Sequence, residues 1–394
     1  MNGRTINVLS GPIAALFVVG TCALAPAADR GPVVVVSQDG QGDFRGSDEK
    51  PILAAIDKLA ETGGTIRIGP GEYVIRQRLV PCDNLTIQGT DGTRLKLPSP
   101  VLVTSPATAR QESLAVGDTS EYAPGTSVEI LPPAGSKTFS DGETETFTAG
   151  IGRVEPGRLL LAAPLAHAVP QGSRVGYAHN LFEMRGAQKN VRFESLVLDG
   201  GRKPDVPMPG HVRRCAILAH GAYSYEEGPS GPPLENLQVV GCRIRNCYGR
   251  AVAFYSVVRS TVEGCRIADV ADEAIDLDHF CYHCTATDNQ IERAIIGVCI
   301  NDGSYCTVRD NRIDDCQRTG IVIWWWYKCP MDGLNAENLI EGNSIRSPGK
   351  DGISIGKRCF RNRVSGNHVE GGIHVVEPDN VVENNTLQPR RARP

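Results

Sequence analysis

Residues 286–300 read ATDNQIERAIIGVCI, and residues 308–323 repeat the pattern as VRDNRIDDCQRTGIVI. Each copy joins a motif of two apolar residues flanking Asn to a second motif, in which a small residue precedes alternating apolar positions. The small residues Ala251, Ala274, Gly297 and Gly320 are 23 residues apart. Short alternating strands at a constant period are typical of a solenoid, in which each coil packs only on its neighbours.

The composition of the repeats favours strands over helices. Val, Ile and Thr dominate the apolar positions, and no window has the three-to-four-residue apolar spacing of a helix. We therefore predict an all-β fold, a right-handed parallel β-helix. The Asn positions predict a side-chain ladder that satisfies backbone groups at the turns. Cys or Asn occupies this position in seven copies, at residues 242, 265, 289, 311, 343, 367 and 385.

The N-terminal part of the chain predicts a cap for the solenoid. Residues 47–64, SDEKPILAAIDKLAETGG, offer Ser47 or Asp48 as helix N-cap, Pro51 in the first turn and an apolar face. Residues 65–75, TIRIGPGEYVI, and 84–89, NLTIQG, then read as strands. A helix, these strands and stacked coils together resemble the pectate lyase-like superfamily over about residues 33–100 and 181–388. The resemblance implies a β-helix that acts as a polysaccharide lyase, uronan epimerase or glycoside hydrolase.

The remaining segments complete the domain organisation. Residues 1–27 have the short apolar run and small cleavage-site residues of a signal peptide, which predicts a secreted or periplasmic protein. Residues 28–100 form the cap and first coils, 101–180 an inserted antiparallel β subdomain, 181–388 the β-helix and 389–394 a basic tail. Most of the twelve cysteines after residue 27 are expected to be small buried groups. Cys281 and Cys284 leave a zinc site as a minor alternative.

The charge excludes some partners. The formal net charge is −4 and the isoelectric point is near 6.1, so the chain lacks a basic field for nucleic acid. No stretch after the signal approaches the roughly 20 apolar residues of a membrane span. We expect a monomer whose partner is a polysaccharide.

Stacking the coils predicts the site. Positions two and four residues after each small residue face away from the core, and equivalent positions lie roughly 4.8 Å apart. One column then contains His220, Tyr255, Asp278, Asn301 and Trp324, with Asp276 in the neighbouring column. His279 and Asp302 follow directly. We expect these side chains to be exposed in a strip suited to a sugar chain.

Two insertions flank this strip. The first, residues 221–232, follows His220, and the second comes just after the aromatic run at residues 324–327. Both leave the same side of the sheet, so they predict the walls of a cleft. The candidate acid/base residues are Asp276, Asp278, His220, His279 and Tyr255. The candidate substrate-binding residues are Trp324, Trp326, Asn301, Asp302, Arg250 and Lys357.

The residues leave several activities open. Asp276 and Asp278 stand two apart in a strand, roughly 6.5–7 Å, a separation that suits an inverting glycoside hydrolase. Residues 272–277, DEAIDL, and 350–356, KDGISIG, resemble polygalacturonase motifs. Residues 274–279, AIDLDH, resemble the Gly-Φ-Asp-Pro-His stretch of mannuronan C5-epimerases. In that match Asp276 takes the place of the Asp, Asp278 that of the His, and His279 is displaced by one residue.

Lyase or epimerase action on a uronic-acid glycan is the preferred hypothesis. It requires a base, an acid and charge neutralisation at the sugar carboxylate. Resemblance to calcium-dependent lyases of this fold implies a Ca²⁺ version, with Asp276, Asp278 and Asp302 as ligands alongside Asn301. A base could then come from Arg250 or Lys357, or from Arg318 or Lys328. Hydrolysis and non-catalytic glycan binding are the alternatives.

Overall fold

The computed structural model describes residues 31–133, 146–326 and 334–390. Within these ranges the chain is a parallel β-helix, as its repeats predict. The strands form three parallel sheets, which we name the site sheet, the long sheet and the third sheet. From Phe182 onward each coil contributes a strand to all three, whereas the earlier coils contribute only to the long and third sheets. The predicted signal peptide, residues 1–27, and Arg391 and Arg393 of the tail lie outside the described residues.

The site sheet carries the columns singled out in the sequence. Its strands are Phe182–Arg185, Ile217–His220, Val252–Tyr255, Glu273–Asp278, Ile296–Asn301, Ile321–Trp324, Ile353–Ile355 and Ile373–Val375. The long sheet consists of Val33–Ser37, Phe44–Arg45, Gly64–Ile68, Leu85–Gly89, Lys189–Glu194, Leu234–Val240, Val257–Val258, Thr261–Glu263, Thr285–Thr287, Thr307–Arg309, Leu339–Glu341, Arg363–Ser365 and Val381–Glu383. The third sheet consists of Gly71–Val74, Thr93–Lys96, Val197–Asp199, Arg243–Cys247, Arg266–Val270, Gln290–Glu292, Arg312–Asp314, Ser344–Arg346, His368–Glu370 and Thr386–Gln388.

Two antiparallel elements interrupt the coils. A separate sheet with its own apolar core lies within residues 101–176. Its strands are Val101–Leu102, Ser113–Ala115, Ser127–Leu131, Phe147–Glu155, Arg158–Leu161 and Arg174–Gly176. A hairpin, Tyr223–Ser224 with Gly228–Pro229, occupies the insertion that follows His220. We name it the site hairpin.

The helix Glu49–Lys58 packs against the first strands of the long sheet. Asp48 is its N-cap and its side chain accepts a hydrogen bond from the Lys50 N–H at 3.1 Å, which satisfies one of the unpaired donors of the first turn. Ile52, Ala55 and Ile56 are buried. No helix in the described part of the chain is long and apolar enough to cross a membrane.

The predicted Asn ladder is present. The Asn289 side chain donates to the Asn311 Oδ1 at 2.9 Å, and Asn311 donates in the same way to Asn343. The ladder continues through Asn367 to Asn385. These amides also bond the backbone of adjacent coils, so each turn fixes the register of the next.

A second ladder that the sequence analysis missed runs along another corner. The Asn338 side chain donates to Asn362, and Asn362 donates to Asn380. The Asn338 Oδ1 accepts from the Cys306 N–H. Cysteine occupies the earlier coils at both corners, and every described cysteine except Cys82 is buried. This agrees with the prediction that most cysteines are small buried groups.

Candidate active site

The site sheet aligns the predicted column. His220 pairs with Tyr255, Tyr255 pairs with Asp278, and Asn301 pairs with Trp324. In the neighbouring column, Asp276 lies between Ala253 and Cys299. The stacking register derived from the repeats is therefore the register of the structure. The same column extends one coil further toward the N-terminus, where Arg185 pairs with His220.

The expected exposure is wrong for the middle of the strip, whereas His220, Asn301 and Trp324 are half-buried. Asp276, Asp278 and His279 are 0, 2 and 3% exposed, and Tyr255 is also buried. They face away from the β-helix core, as the alternation predicts. The site hairpin and residues 324–326 cover them, which the strand pattern alone does not reveal. The carboxyls therefore lie at the base of a cavity rather than on an open strip.

The site hairpin forms an aromatic wall beside the column. The Tyr223 ring stacks against His220 with centroids 5.1 Å apart, and lies nearly parallel to Tyr255 at 6.3 Å. Tyr223 also contacts His279, at 5.3 Å, while the edge of Tyr225 meets the same imidazole. Flat aromatic faces of this kind suit the apolar faces of sugar rings.

The cavity below the hairpin has a volume of about 510 Å³. Three buried polar atoms in its lining have no hydrogen-bond partner among the described residues: the Asp276 Oδ1, the Asn301 Oδ1 and the Trp324 Nε1. Buried polar atoms are nearly always paired, and leaving one unpaired costs about 1–3 kcal/mol. A carboxyl oxygen, an amide acceptor and an indole donor that line the same cavity fit a ligand rich in hydroxyl groups.

Arg250 is the cation at the base of the cavity. Its Nε lies 2.7 Å from the Asp276 Oδ2 and 2.8 Å from the Glu273 Oε2, and its Nη1 donates to the Tyr255 hydroxyl. The guanidinium side chain is only 5% exposed. One buried cation thus holds two carboxyls and a phenol in place, and it balances only one negative charge.

Burial raises the pKa of all three nearby carboxyls. The pKa of Asp276 rises to about 8, although Arg250 opposes the shift, and that of Glu273 also rises to about 8 because burial is reinforced by Asp276. Burial raises the pKa of Asp278 to about 7, against the opposing effects of Arg250 and the His279 N–H. Near neutral pH the group therefore contains both protonated and ionised carboxyls, as acid/base catalysis requires.

Two further acid/base candidates, His220 and Tyr255, differ from each other in protonation. Burial lowers the pKa of His220, which leaves its imidazole neutral at pH 7. Burial and the neighbouring carboxylates raise the pKa of Tyr255, which keeps its hydroxyl protonated. His220 can thus accept a proton, whereas Tyr255 serves as a hydrogen-bond donor.

Asp302 lies outside the cavity lining and has a positioning role. Its Oδ2 is 3.1 Å from the His279 Nδ1, and its Oδ1 accepts from the Trp326 N–H and the Asn335 side chain, both at 3.1 Å. It is fully buried. Both carboxylate oxygens already contact protein groups, at His279, Trp326 and Asn335, so contact of Asp302 with substrate remains a prediction.

The predicted Ca²⁺ ligands do not fit the ion. Ca²⁺ takes six to eight oxygen ligands. The Asp276 Oδ2 instead faces the Arg250 guanidinium, and Asp302 is engaged with protein donors. Across the described ranges, no cluster of three or more His, Cys, Asp or Glu side chains has the arrangement of a metal site. Cys281 and Cys284 donate to the carbonyls of Phe254 and Val257 in the core.

The other predicted binding residues divide between the cavity and the surface. Trp324 and Trp326 line the cavity, and Trp326 is 66% exposed at its mouth. Lys357 is exposed and does not line it, and the Arg318 guanidinium lies over the Trp324 ring at 5.4 Å. Lys328 and most of the second insertion, residues 327–333, lie outside the described residues.

Sequence analysis missed four residues that line the cavity: Glu273, His211, Tyr223 and Tyr225. Glu273 lies one position before the small residue of its coil. The stacking pattern assigns outward-facing side chains only to the second and fourth positions after the small residue, so it does not predict where Glu273 points. Tyr223 and Tyr225 lie in the first insertion, whose role as a wall was predicted without naming the residues. The spacing of Tyr223 and Tyr225, two residues apart in that insertion, is the sequence feature that could have identified them.

Comparison with known proteins supports the fold. A family model described as a right handed beta helix region matches residues 217–333 and 284–389. The structure of XylC with xylose aligns with a TM-score of 0.53 and 11% identity, covering 91% of this chain and 70% of XylC. No curated protein matches the sequence.

Two other solved structures align less closely. The periplasmic alginate epimerase AlgG has a TM-score of 0.42 and 9% identity over 82% of this chain and 65% of AlgG. A tailspike protein of E. coli bacteriophage HK620 has a TM-score of 0.43 and 12% identity over 87% of this chain, which spans about half of the tailspike. At these identities the similarities concern the fold alone.

Proposed function

We propose that this chain, a right-handed parallel β-helix protein with the fold of the pectate lyase-like superfamily, is an exported enzyme that hydrolyses a glycosidic bond of a polysaccharide. The observation that carries the proposal is the cavity in which unpartnered atoms of Asp276, Asn301 and Trp324 meet carboxyls of raised pKa. XylC, which shares the fold, has a solved structure in complex with xylose.

Asp276 is the proposed general acid. Its Oδ2 faces Arg250, so its Oδ1, which has no partner among the described residues, is the oxygen left to carry the proton. Its pKa of about 8 keeps the carboxyl largely protonated at neutral pH. The acid gives this proton to the glycosidic oxygen as the bond to the anomeric carbon breaks.

Asp278 is the proposed general base. Its Oδ1 accepts from the His279 N–H at 2.7 Å, which favours the ionised form, and its pKa is the lower of the two. It takes a proton from the water that attacks the anomeric carbon. The two residues are two positions apart in one strand, roughly 6.5–7 Å, which leaves room for that water and predicts inversion at the anomeric carbon.

Electrostatics favour hydrolysis over elimination. Elimination or epimerisation of a uronic acid requires a cation that neutralises the sugar carboxylate. Among the described residues that line the cavity, Arg250 is the only Arg or Lys, and it already contacts Asp276, Glu273 and Tyr255. Arg250 is thus already engaged by protein groups and is not left free to neutralise a sugar carboxylate.

Elimination or C5 epimerisation is the second candidate, and His220 is the observation that favours it. Its neutral imidazole lies in the cavity wall beside Tyr255, whose hydroxyl can donate. A base and an acid of these types are what proton transfer at C5 needs.

The test incubates the purified chain with a panel of neutral and acidic polysaccharides and follows reducing ends and absorbance near 232 nm together. Hydrolysis raises reducing ends alone, and proton NMR of the first product should show the inverted anomer. Asp278→Asn should lower kcat by about 100-fold or more, whereas the exposed control Asp310→Asn should not. A rise at 232 nm, or C5 proton exchange in D₂O without new reducing ends, would replace hydrolysis with the second candidate.

A further inference from the structure

A second cavity of about 380 Å³ lies next to the first, between the site sheet and the inserted sheet. Val212 lines both cavities. Arg185, in the second cavity, is the direct strand neighbour of His220, in the first. A chain-like ligand that leaves the first cavity along the β-helix axis therefore enters the second within one coil, roughly 4.8 Å.

The second cavity has the opposite electrostatic character to the first. Arg78, Arg185 and Arg213 line it, with side chains 55, 61 and 45% exposed. Its two acidic residues, Glu129 and Glu183, have side chains only 3 and 6% exposed. The cations thus face the open space, and the anions lie behind them.

The buried carboxylates hold the arginines in place. The Glu183 Oε1 accepts from the Arg185 Nε at 2.6 Å and lies 3.4 Å from the Arg78 Nη1. The Glu129 Oε1 accepts from the Arg213 Nη1 at 2.5 Å, and its Oε2 accepts from the buried Arg214. Burial opposes ionisation of Glu129, but Arg214 and Arg213 hold its pKa below the usual range.

Each exposed guanidinium keeps donors that no described residue uses. Arg185 is bonded through Nε alone, and Arg78 and Arg213 are each bonded through a single terminal nitrogen. The planar guanidinium fork matches the two oxygens of a carboxylate, and its carboxylate-fixed orientation reduces the entropy lost on binding.

We propose that this second cavity is a subsite for an anionic sugar, a uronate or an ester bearing an equivalent oxyanion, adjacent to the sugar whose bond is cleaved. The inference rests on the proposed function, because it takes the first cavity as the place of cleavage. The substrate class is then a polysaccharide in which an acidic sugar follows the residue held over Asp276 and Asp278. Among the described residues, the first cavity offers such an anion no uncommitted cation, whereas the second presents three exposed arginines, so the pair of cavities sets the register of the chain.

Titration of the purified chain with D-glucuronate and with D-glucose, followed by calorimetry, tests the subsite. Glucuronate should bind, and glucose should bind at least about tenfold more weakly. Arg185→Gln and Arg78→Gln should each weaken glucuronate binding by about tenfold, since each removes a hydrogen bond between charged groups. Raising the salt concentration should weaken binding as well.

Arg312→Gln is the matched control. Arg312 is similarly exposed and is bonded through Nε to Asp314, two residues along its strand, as Arg185 is to Glu183, but it lies on the third sheet. This variant should bind glucuronate as the wild type does. Equal binding of glucose and glucuronate, or unchanged glucuronate binding in both cavity variants, would overturn the subsite.

Competition by inorganic sulfate distinguishes a general oxyanion site from a site that requires the uronate itself. Displacement of glucuronate by sulfate at similar concentrations supports a general oxyanion site, and the absence of displacement supports a site for the uronate itself. Polysaccharide hydrolysis is measured separately. If hydrolysis occurs without arginine-dependent glucuronate binding, the subsite alone fails. If glucuronate binds but no polysaccharide is cleaved, the proposed function fails, and with it the assignment of the cavity as a cleavage subsite.

Discussion

Replacing Asp276 with Asn should make the protein more stable at alkaline pH while abolishing activity. The carboxyl is fully buried, and its pKa rises from 3.8 to about 8 on folding. A group with a raised folded-state pKa supports folding below its unfolded pKa, and this support is lost as pH rises toward the folded value. Between these pH values the contribution of Asp276 to the free energy of unfolding therefore falls as the pH rises. Asn at this position does not titrate, so the variant lacks this decrease.

The size of the effect follows from the shift. About four pKa units at about 1.36 kcal/mol each give roughly 5 kcal/mol against folding at pH 8. The substitution also loses the contact with Arg250, worth about 3 kcal/mol, although Glu273 remains 2.8 Å from that guanidinium. The net gain for Asp276→Asn is about 2 kcal/mol at pH 8. At pH 5 the free-energy cost of the raised Asp276 pKa falls to roughly 1.6 kcal/mol. The variant is then about 1 kcal/mol less stable than the wild type, because the lost Arg250 contact outweighs this cost.

Urea unfolding of both proteins at pH 5 and pH 8 measures this change of sign. The difference between the two pH values, about 3.5 kcal/mol, does not depend on the value assigned to the Arg250 contact. Asp310→Asn, at an exposed carboxyl whose side chain is 52% accessible, is the control and should show no such crossover. A relative stability of Asp276→Asn that is the same at both pH values would refute the reasoning.

Four further outcomes are expected. Activity should be highest between about pH 7 and 8, falling on the acid side as Asp278 is protonated and on the alkaline side as Asp276 loses its proton; a pH-rate profile checks this. Trp324→Phe keeps a six-membered aromatic ring but removes the pyrrole portion with the unpartnered Nε1, so steady-state kinetics should show KM raised about two- to tenfold with kcat little changed. Tyr223→Ala removes the ring stacked on His220 and should raise KM by at least as much, whereas Tyr305→Ala, at an exposed ring outside the cavity, should not. Asn311→Ala interrupts the ladder and should lower the free energy of unfolding by about 2–4 kcal/mol in denaturant titrations; a loss below about 0.5 kcal/mol would contradict the role of the ladder.

The repeats predicted the fold and the alignment of the site because both follow from periodicity. A constant coil length fixes which residues stack, and the column from His220 to Trp324 needed no other information. The burial of Asp276 and Asp278 could not be predicted in this way, since it depends on how the site hairpin folds back over the sheet. The contacts of Asp302 could not be predicted for a related reason: its left-handed backbone, with φ of 55°, turns the carboxylate toward Asn335 at a coil corner.

Strand alternation also indicates where a side chain points but not what meets it there. Arg250 was expected near the site as one of several cations, and its contacts with both Asp276 and Glu273 depend on a corner geometry absent from the repeat motif. The arginines of the second cavity come from distant parts of the sequence, with Arg78 and Arg185 more than one hundred residues apart. Glu129 belongs to the inserted sheet, and its hydrogen bond with Arg213 places that arginine in the same cavity.

The one-residue-per-coil construction of the site has an evolutionary consequence. Arg185, His220, Tyr255 and Asp278 belong to four successive coils, each held to its neighbours by backbone bonds that do not depend on side-chain identity. A substitution in one coil can therefore change the preference for a single sugar and leave the others intact. Under the proposed function, specificity along the polysaccharide can therefore diversify by substitutions in one coil at a time.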